Sequence, residues 1–449
     1  MKVCVNSQTP FLRFVLNYSE LLDKYGQLDD PVELSTLEQG SDYNYSPGGV
    51  TAMVYPLLKK MTESGGVESA VWVSLGVNYP PRVKDGNILL SHVELDEGSL
   101  KGYTNFKEAL WRSLHGLPTG ELNAADYQAY TKYNWLNAER LLHYVGAVDV
   151  FFIQDFQQLL TGQLIGPSAP AVLRWHVPMQ PQFLDPRMRK FILKAMEGFD
   201  SVIVSTRRDM EALVSSAYHG HAYQVYPYID ESKWSQTSKN VAQSVRDSLG
   251  LKEDETLLLH VARMDPIKSQ DVAIRALARI KNRNQKVKLA LVGNGSFSSS
   301  SRGGLGYGKA KNWRTGLEAL CRELGVADSV MFLGYQDDER VKALYSIACA
   351  VLLTSKIEGF GITVLEAWQN HKPVIVSSGA GASELVVDGS NGYVFRAGDD
   401  LQLAEKIELT LSSDVQKLGD FGYETSRACT LNLSMDRVKT ILEETVSSF

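Results

Sequence analysis

Val351–Phe395 reads VLLTSKIEGFGITVLEAWQNHKPVIVSSGAGASELVVDGSNGYVF, and this stretch decides the fold. Val351–Thr354 is an apolar strand that runs into a loop holding Glu358. Gly359-Phe360-Gly361 follows, then a helix carrying Glu366, then a second apolar strand over Pro373–Val376. A strand, a glycine loop and a helix in that order make an anion site. The first helical amides lack intrahelical partners, and the dipole there favours negative charge. Glycines, having no Cβ, let the backbone approach a ligand closely. Glu358 and Glu366 flank the amides of Gly361, Ile362 and Thr363. Ionised carboxylates only accept hydrogen bonds, so the two acids suit sugar hydroxyls and not phosphate. The stretch thus suggests a ligand with phosphate in the middle and hydroxyl-rich groups on both sides, such as a nucleotide-sugar. An ordinary capped helix also explains glycines and a Glu near a helix start.

Upstream, the same rhythm repeats. Strand Thr256–Val261, helix Gln270–Lys281 and strand Val287–Val292 lead to strand Val330–Leu333, a helix around Val341–Ile347 and strand Ala350–Thr354. Alternating βα units predict a parallel doubly wound sheet. Arg263 and Lys268 stand just past the first of these strands, with Asp265-Pro266 favouring a turn between them. Two cations there can neutralise a diphosphate, Arg as a fork and Lys as a point charge. A solvated surface pair is the competing reading. Ser296–Gly308 (SFSSSSRGGLGYG) predicts an adjustable loop at the rim.

The first half opens with a buried strand over Lys2–Val5. Ser46-Pro47-Gly48-Gly49-Val50 predicts a glycine loop opening a helix that kinks or restarts near Pro56. Gly48 and Gly49 can approach a diphosphate or merely make a tight turn. Strands over Ser69–Leu75, Val148–Ile153, Ala171–Trp175 and Val202–Thr206 are apolar runs of the kind covered on both faces. Ligands of open parallel sheets sit beyond the carboxyl ends of strands. Asp155, His176 and Ser205 lie at such ends. A lone His there also serves as a structural residue.

The chain has 449 residues, 44% hydrophobic and 22% charged, with a net charge of −6. That predicts two or three domains of a globular enzyme and gives no electrostatic case for nucleic acid or an anionic membrane. Cys4, Cys321, Cys349 and Cys429 are scattered and read as reduced thiols. Met1–Asn6 leads into polar residues, not an apolar leader, and no apolar run nears ~20 residues, so neither a signal peptide nor a membrane span is expected. The expected location is cytoplasmic.

The run E-G-F-G-I-T-V-L-E, then A-x-x-x-x-K-P-V-I and G-A-S-E-L-V-x-D-G-x-x-G-Y-V-F, closely resembles the retaining nucleotide-sugar glycosyltransferases of the GT-B fold, glycosyltransferase family 4-like. R-x-x-x-x-K from Arg263 to Lys268 matches their second shared motif. The resemblance implies an α/β chain with two Rossmann-like doubly wound domains facing a cleft. It implies an N-terminal acceptor-side domain over 1–229, a nucleotide-sugar domain over 230–430 and a terminal helix over 431–449 crossing back. Donor-binding residues would be Gly48, Gly49, Asp155, Arg263, Lys268, Glu358, Gly359, Phe360, Gly361, Ile362, Thr363 and Glu366. Arg263, Lys268, Glu358 and His176 would act in catalysis. Glu366 would hold ribose and Glu358 the transferred sugar. No metal or other cofactor is implied.

F-I-Q-D and R-W-H-V-P, around Asp155 and His176, look like the trehalose-forming enzymes of this fold. They imply both residues beside the transferred sugar, a nucleotide-glucose donor and a glucose acceptor. A homodimer is compatible with that group. Trehalose-6-phosphate synthases commonly have Asp as the first acid, and this chain has Glu358, which favours the nucleotide-sugar trehalose synthase branch. Alternatives are a trehalose-6-phosphate or glucosylglycerate-type synthase, a trehalose phosphorylase, a nucleotide-sugar epimerase and a non-catalytic binding subunit.

Overall fold

The structure is a computed structural model that describes residues 1–46, 49–234, 237–294 and 305–449. It divides into two compact units: Met1–Tyr226 with Ser434–Phe449, and Pro227–Leu433.

The first unit contains β1 (Lys2–Ser7), β2 (Leu12–Phe14), β3 (Val32–Glu33), β4 (Tyr43–Tyr45), β5 (Ser69–Leu75), β6 (Arg82–Asp85), β7 (Ile88–Val93), β8 (Val150–Gln154), β9 (Ala171–Arg174), β10 (Ser201–Val204) and β11 (His221–Gln224). Nine of these form one sheet in the order β11-β10-β9-β8-β1-β5-β7-β6-β3, and β2 pairs β4 in an antiparallel ribbon. The nine-stranded sheet is parallel except where β6 turns back on β7. β8 (VFFIQ) is buried at every residue, as a central strand covered on both faces must be. Helices Glu97–Leu114 and Ala124–Leu142 cover one face. They meet it through the rings of Tyr103, Phe106, Tyr130 and Tyr133, packed with Phe151 and Trp175. Burying side chains of this size is worth about 1.5–3 kcal/mol each. Asn137 ties the second helix to β1, its Oδ1 accepting from Asn6 Nδ2 at 2.7 Å. The final helix, Leu431–Ser448, joins this unit: Ser201 Oγ and Thr445 Oγ1 lie 2.9 Å apart, buried.

The second unit contains β12 (Thr256–Val261), β13 (Val287–Val292), β14 (Val330–Gly334), β15 (Ala350–Leu353), β16 (Val374–Ser377) and β17 (Gly392–Phe395). They form a parallel sheet in the order β14-β13-β12-β15-β16-β17. Leu258, Leu289, Leu291, Leu352 and Ile375 of these strands meet Val272, Ala276 and Leu277 of helix Gln270–Ile280 in the core.

In each sheet the chain fills one side of its first strand and later returns to fill the other. In the second unit it leaves β12 toward β14, then returns to β15 and proceeds toward β17. In the first it leaves β1 for β3 at the far edge, comes back to β5 and fills in β6 and β7, then returns to β8 and proceeds toward β11. Such points open a crevice at the carboxyl ends of the two diverging strands. Two expectations change. Pro56 lies inside one helix, Gly49–Glu63, rather than at a restart. Of the expected Ser296–Gly308 loop, 296–304 lie outside the described residues. Helix Leu305–Glu323 takes the remainder.

Candidate active site

The β12 loop forms half of the site in the second unit. Asp265 Oδ1 accepts from Ile267 N at 3.1 Å and closes the short turn Pro266–Lys268. Gln270 Nε2 donates to the Arg263 carbonyl at 2.7 Å, which fixes the backbone under that side chain. The β15 loop forms the other half, and the two are stitched together. Thr354 Oγ1 donates to the Lys268 carbonyl at 2.8 Å, and Lys356 N donates to the Ile267 carbonyl at 2.8 Å. Beneath them His260 Nε2 lies 2.9 Å from Thr354 Oγ1. Burial lowers the pKa of that imidazole to about 4, so it is neutral.

These loops bring Lys268 onto Glu358. The ammonium donates to the carboxylate, which also accepts from Ser355 Oγ at 3.0 Å. The two side chains keep only 15% and 22% of their exposure, so water screens the pair weakly. Glu358 N donates to the Gly379 carbonyl at 3.1 Å, which anchors the loop to the segment after β16. Gly361 has φ +100°, and a Cβ there would meet Leu353 Cδ2 at 2.4 Å. Only glycine combines that backbone with that approach. Ile362 precedes helix Thr363–Gln369 with no side-chain cap, and Val364 N donates to the Gly361 carbonyl at 3.0 Å. Glu366 stands in the first turn, and its Oε2 accepts from the Tyr345 hydroxyl at 2.6 Å. Burial raises its pKa to about 7.

The expected first-unit residues group separately. Asp155 follows β8 with φ +67°, and its Oδ1 accepts from His176 N at 3.3 Å. It is 4% exposed, and burial raises its pKa to about 7 against hydrogen bonds from the His176, Phe156 and Val177 amides. His176 Nε2 lies 3.0 Å from Gln154 Oε1. Burial first, then the Arg174 charge, push the imidazole well below its usual pKa, so it is neutral. Ser205 Oγ donates to the Trp175 carbonyl at 3.3 Å and serves the backbone. Gly49 starts its helix at φ +63°, while Gly48 lies outside the described residues.

Lys268 and Glu358 thus meet, as do Asp155 and His176, whereas Glu366 is held by a residue that the sequence does not flag. Thr354, Ser355 and Tyr345 were all missed. The first two directly follow β15, so strand-end position was an available signal. Tyr345 carries none, because a buried helical Tyr reads as core. Among the described residues, no cluster of three His, Cys, Asp or Glu side chains is placed to hold a metal.

Residues 241–427 match the family described as glycosyl transferases group 1. Among curated proteins, the chain is 31% identical over 235 residues to D-inositol 3-phosphate glycosyltransferase 2 of Catenulispora acidiphila, covering 51% of this chain and 52% of that protein. It is 35% identical over 147 residues to an uncharacterized glycosyltransferase of Methanocaldococcus jannaschii, covering 33% of each. The chain therefore spans about half the length, or less, of these curated relatives. Three solved structures share the whole architecture. A UDP-forming α,α-trehalose-phosphate synthase from Burkholderia vietnamiensis has a TM-score of 0.76 at 15% identity, covering 99% of this chain and 98% of that one. Sucrose-phosphate synthase from Thermosynechococcus elongatus has 0.72 at 17%, and Anabaena HepE, in complex with UDP and glucose, has 0.68 at 17%, each covering 100% of both chains. No helix among the described residues is long and apolar enough to cross a membrane. The chain has the GT-B fold of two Rossmann-like domains, and its residues 241–427 match the glycosyl transferases group 1 family.

Proposed function

We propose that the protein is a retaining glycosyltransferase that moves glucose from a nucleotide-glucose to a small sugar acceptor, with glucose as acceptor and trehalose as product. The observation that carries this is the meeting of Lys268 and Glu358 at the diverging ends of β12 and β15, inside the segment that matches the family. Arg263, Lys268 and the amides of Gly361–Thr363 balance charge on the departing diphosphate, which is electrostatic catalysis of the oxyanion type. Those cations do the work of a metal, so none is part of the proposal. Glu358 accepts from hydroxyls of the transferred sugar, and Glu366 from the ribose. The bond from C1 to the diphosphate oxygen breaks, and a bond from C1 to the acceptor oxygen forms on the same face. The acceptor proton passes to the leaving diphosphate. The first unit offers Asp155 and the neutral His176 as sugar-binding groups. A phosphorylated acceptor is the second reading, favoured by relatives named for inositol phosphate and solved structures named for sucrose-phosphate and trehalose-phosphate.

The test is an NMR screen of UDP-, ADP- and GDP-glucose, each with glucose, glucose 6-phosphate or glycerate, without added metal. The expected result is an α,α-1,1-linked disaccharide with release of nucleoside diphosphate. Arg263→Ala and Glu366→Ala should each lower the rate about a hundredfold, as loss of a charge-stabilising donor or a donor-orienting group does. Turnover of glucose 6-phosphate alone selects the second reading. Consumption of trehalose with phosphate, or of nucleotide-glucose with no acceptor, overturns both in favour of a phosphorylase or an epimerase.

A further inference from the structure

Tyr345 lies in helix Asp338–Ile347 and is 0% exposed. Its hydroxyl donates to Glu366 Oε2 at 2.6 Å, across 21 residues of sequence. Trp234 packs edge-on against its ring, with centroids 5.5 Å apart. The phenol is pushed well above its usual pKa by burial and by Glu366, so it stays protonated and can only donate toward the carboxylate. The interaction is therefore one-way and tightly held. Glu366 itself is raised to about 7 by burial, with Tyr345 opposing the shift and Asp338 adding to it. Helix Val415–Ser426 meets the Glu366 helix through Gly422 against Trp368 and through Ser426 with Gln369. β15 (AVLL) and β16 (VIVS) bring no ionisable group. The turn Glu231–Trp234 also packs on the Glu366 helix and carries Glu231 and Lys233, and helix Val415–Ser426 carries Lys417, Asp420 and Glu424; the groups that act on Glu366 are Tyr345 and Asp338.

We propose that Tyr345 is a positioning residue for the nucleotide: its hydroxyl fixes the Glu366 carboxylate on one oxygen and leaves the other to accept from a ribose diol. This rests on the donor-binding reading above. A carboxylate offers about four acceptor sites over two oxygens, so one donated bond leaves room for two ribose hydroxyls. A free carboxylate on a helix would sample several rotamers, and a diol needs one of them. The hydroxyl also favours the ionised form, which can accept at both oxygens, over the acid, which cannot.

The experiment is calorimetric titration of the full chain, using whichever of UDP, ADP or GDP the wild type binds most tightly, between about pH 6 and pH 9. Tyr345→Phe keeps the buried ring and removes only the hydroxyl. It should weaken nucleotide binding about tenfold, the scale of a lost hydrogen bond to a charged group. The pH below which affinity falls should move upward, because the acid form of Glu366 gains ground without its donor. In a Glu366→Gln background the same substitution should change affinity less than about twofold. A general packing role would instead give equal losses in both backgrounds and an unmoved pH profile, and either result overturns the proposal. If the wild type binds no nucleotide, the donor-binding reading falls and this proposal with it. If Glu366→Ala abolishes binding while Tyr345→Phe leaves it unchanged, only this proposal falls.

Discussion

Lys268 and Glu358 pose a question of charge at single residues. Each is proposed to hold part of the donor, and in the structure they hold one another. Both are less than a quarter exposed, so removing either leaves a charge in a poorly solvated place. Lys268→Ala should therefore lower stability by about 2 kcal/mol, more than an exposed pair would cost. Adding Glu358→Gln should restore most of that loss, because no charge is then left alone. Activity should not return, since both groups remain needed by the donor. Urea denaturation of the two single variants and the double variant measures the coupling, alongside turnover of nucleotide-glucose. Additive losses in stability would mean that the pair is not held in solution as it is in the structure.

At the scale of elements, the sheet is what aims these side chains, and Gly293 is where its edge is most constrained. The residue follows β13 at φ +132°, and a Cβ there would lie 2.0 Å from the Ala262 carbonyl oxygen. That atom is backbone and cannot swing aside, and the next residue is Arg263. Gly293→Ala should cost about 3 kcal/mol or more and should weaken nucleotide binding with it. Gly316, inside helix Leu305–Glu323 with nothing within 4 Å of its added Cβ, is the control. Gly316→Ala should raise stability by about 0.5–1 kcal/mol, through helix propensity alone. Thermal melts of both separate the cases, and equal shifts would sink the argument. The same elements explain what could be read from sequence. β5, β12 and β13 are apolar runs bounded by turn residues, and their observed bounds equal the expected ones. The ribbon β2–β4, the edge strand β3 and its neighbour β6 were not read. They are two to four residues long and partly polar, so pairing partners define them rather than local pattern. The Glu358 loop was legible because its chemistry is local to nine residues. The Lys268–Glu358 and Tyr345–Glu366 contacts span 90 and 21 residues and depend on strand order, which a linear reading does not contain.

For the whole molecule, buried ionisable groups set the response to pH, and they are divided unevenly between the two units. His92 in the first and His260 in the second are 6% and 1% exposed, and burial holds each near a pKa of about 4. His176, also in the first, is lowered well below its usual value. Unfolding returns these imidazoles to about 6.5, so between about pH 4 and 6.5 the unfolded chain binds more protons at them. Their contribution is complete above about 6.5 and is lost as pH falls toward 4. Asp155 in the first unit and Glu366 in the second are raised to about 7, which has the opposite sign. Their contribution is present below about 4 and is lost as pH rises through 7. Burial also raises Asp209 in the first unit and Asp271 in the second, so the first sets two histidines against two acids and the second one against two. On moving from about pH 6.5 to about pH 5, the first unit should lose stability relative to the second. Because the chain has two units, a single unfolding free energy would blur this difference. Hydrogen exchange in dilute urea, corrected for intrinsic rates and read peptide by peptide, resolves it. His92→Gln should flatten the response of the first unit. His260→Gln should leave the second unit more stable at about pH 5 than at 6.5, because the raised acids Glu366 and Asp271 then act unopposed. If the two units lose protection equally on acidification, or His92→Gln leaves the slope of the first unchanged, buried histidines do not govern the acid limb.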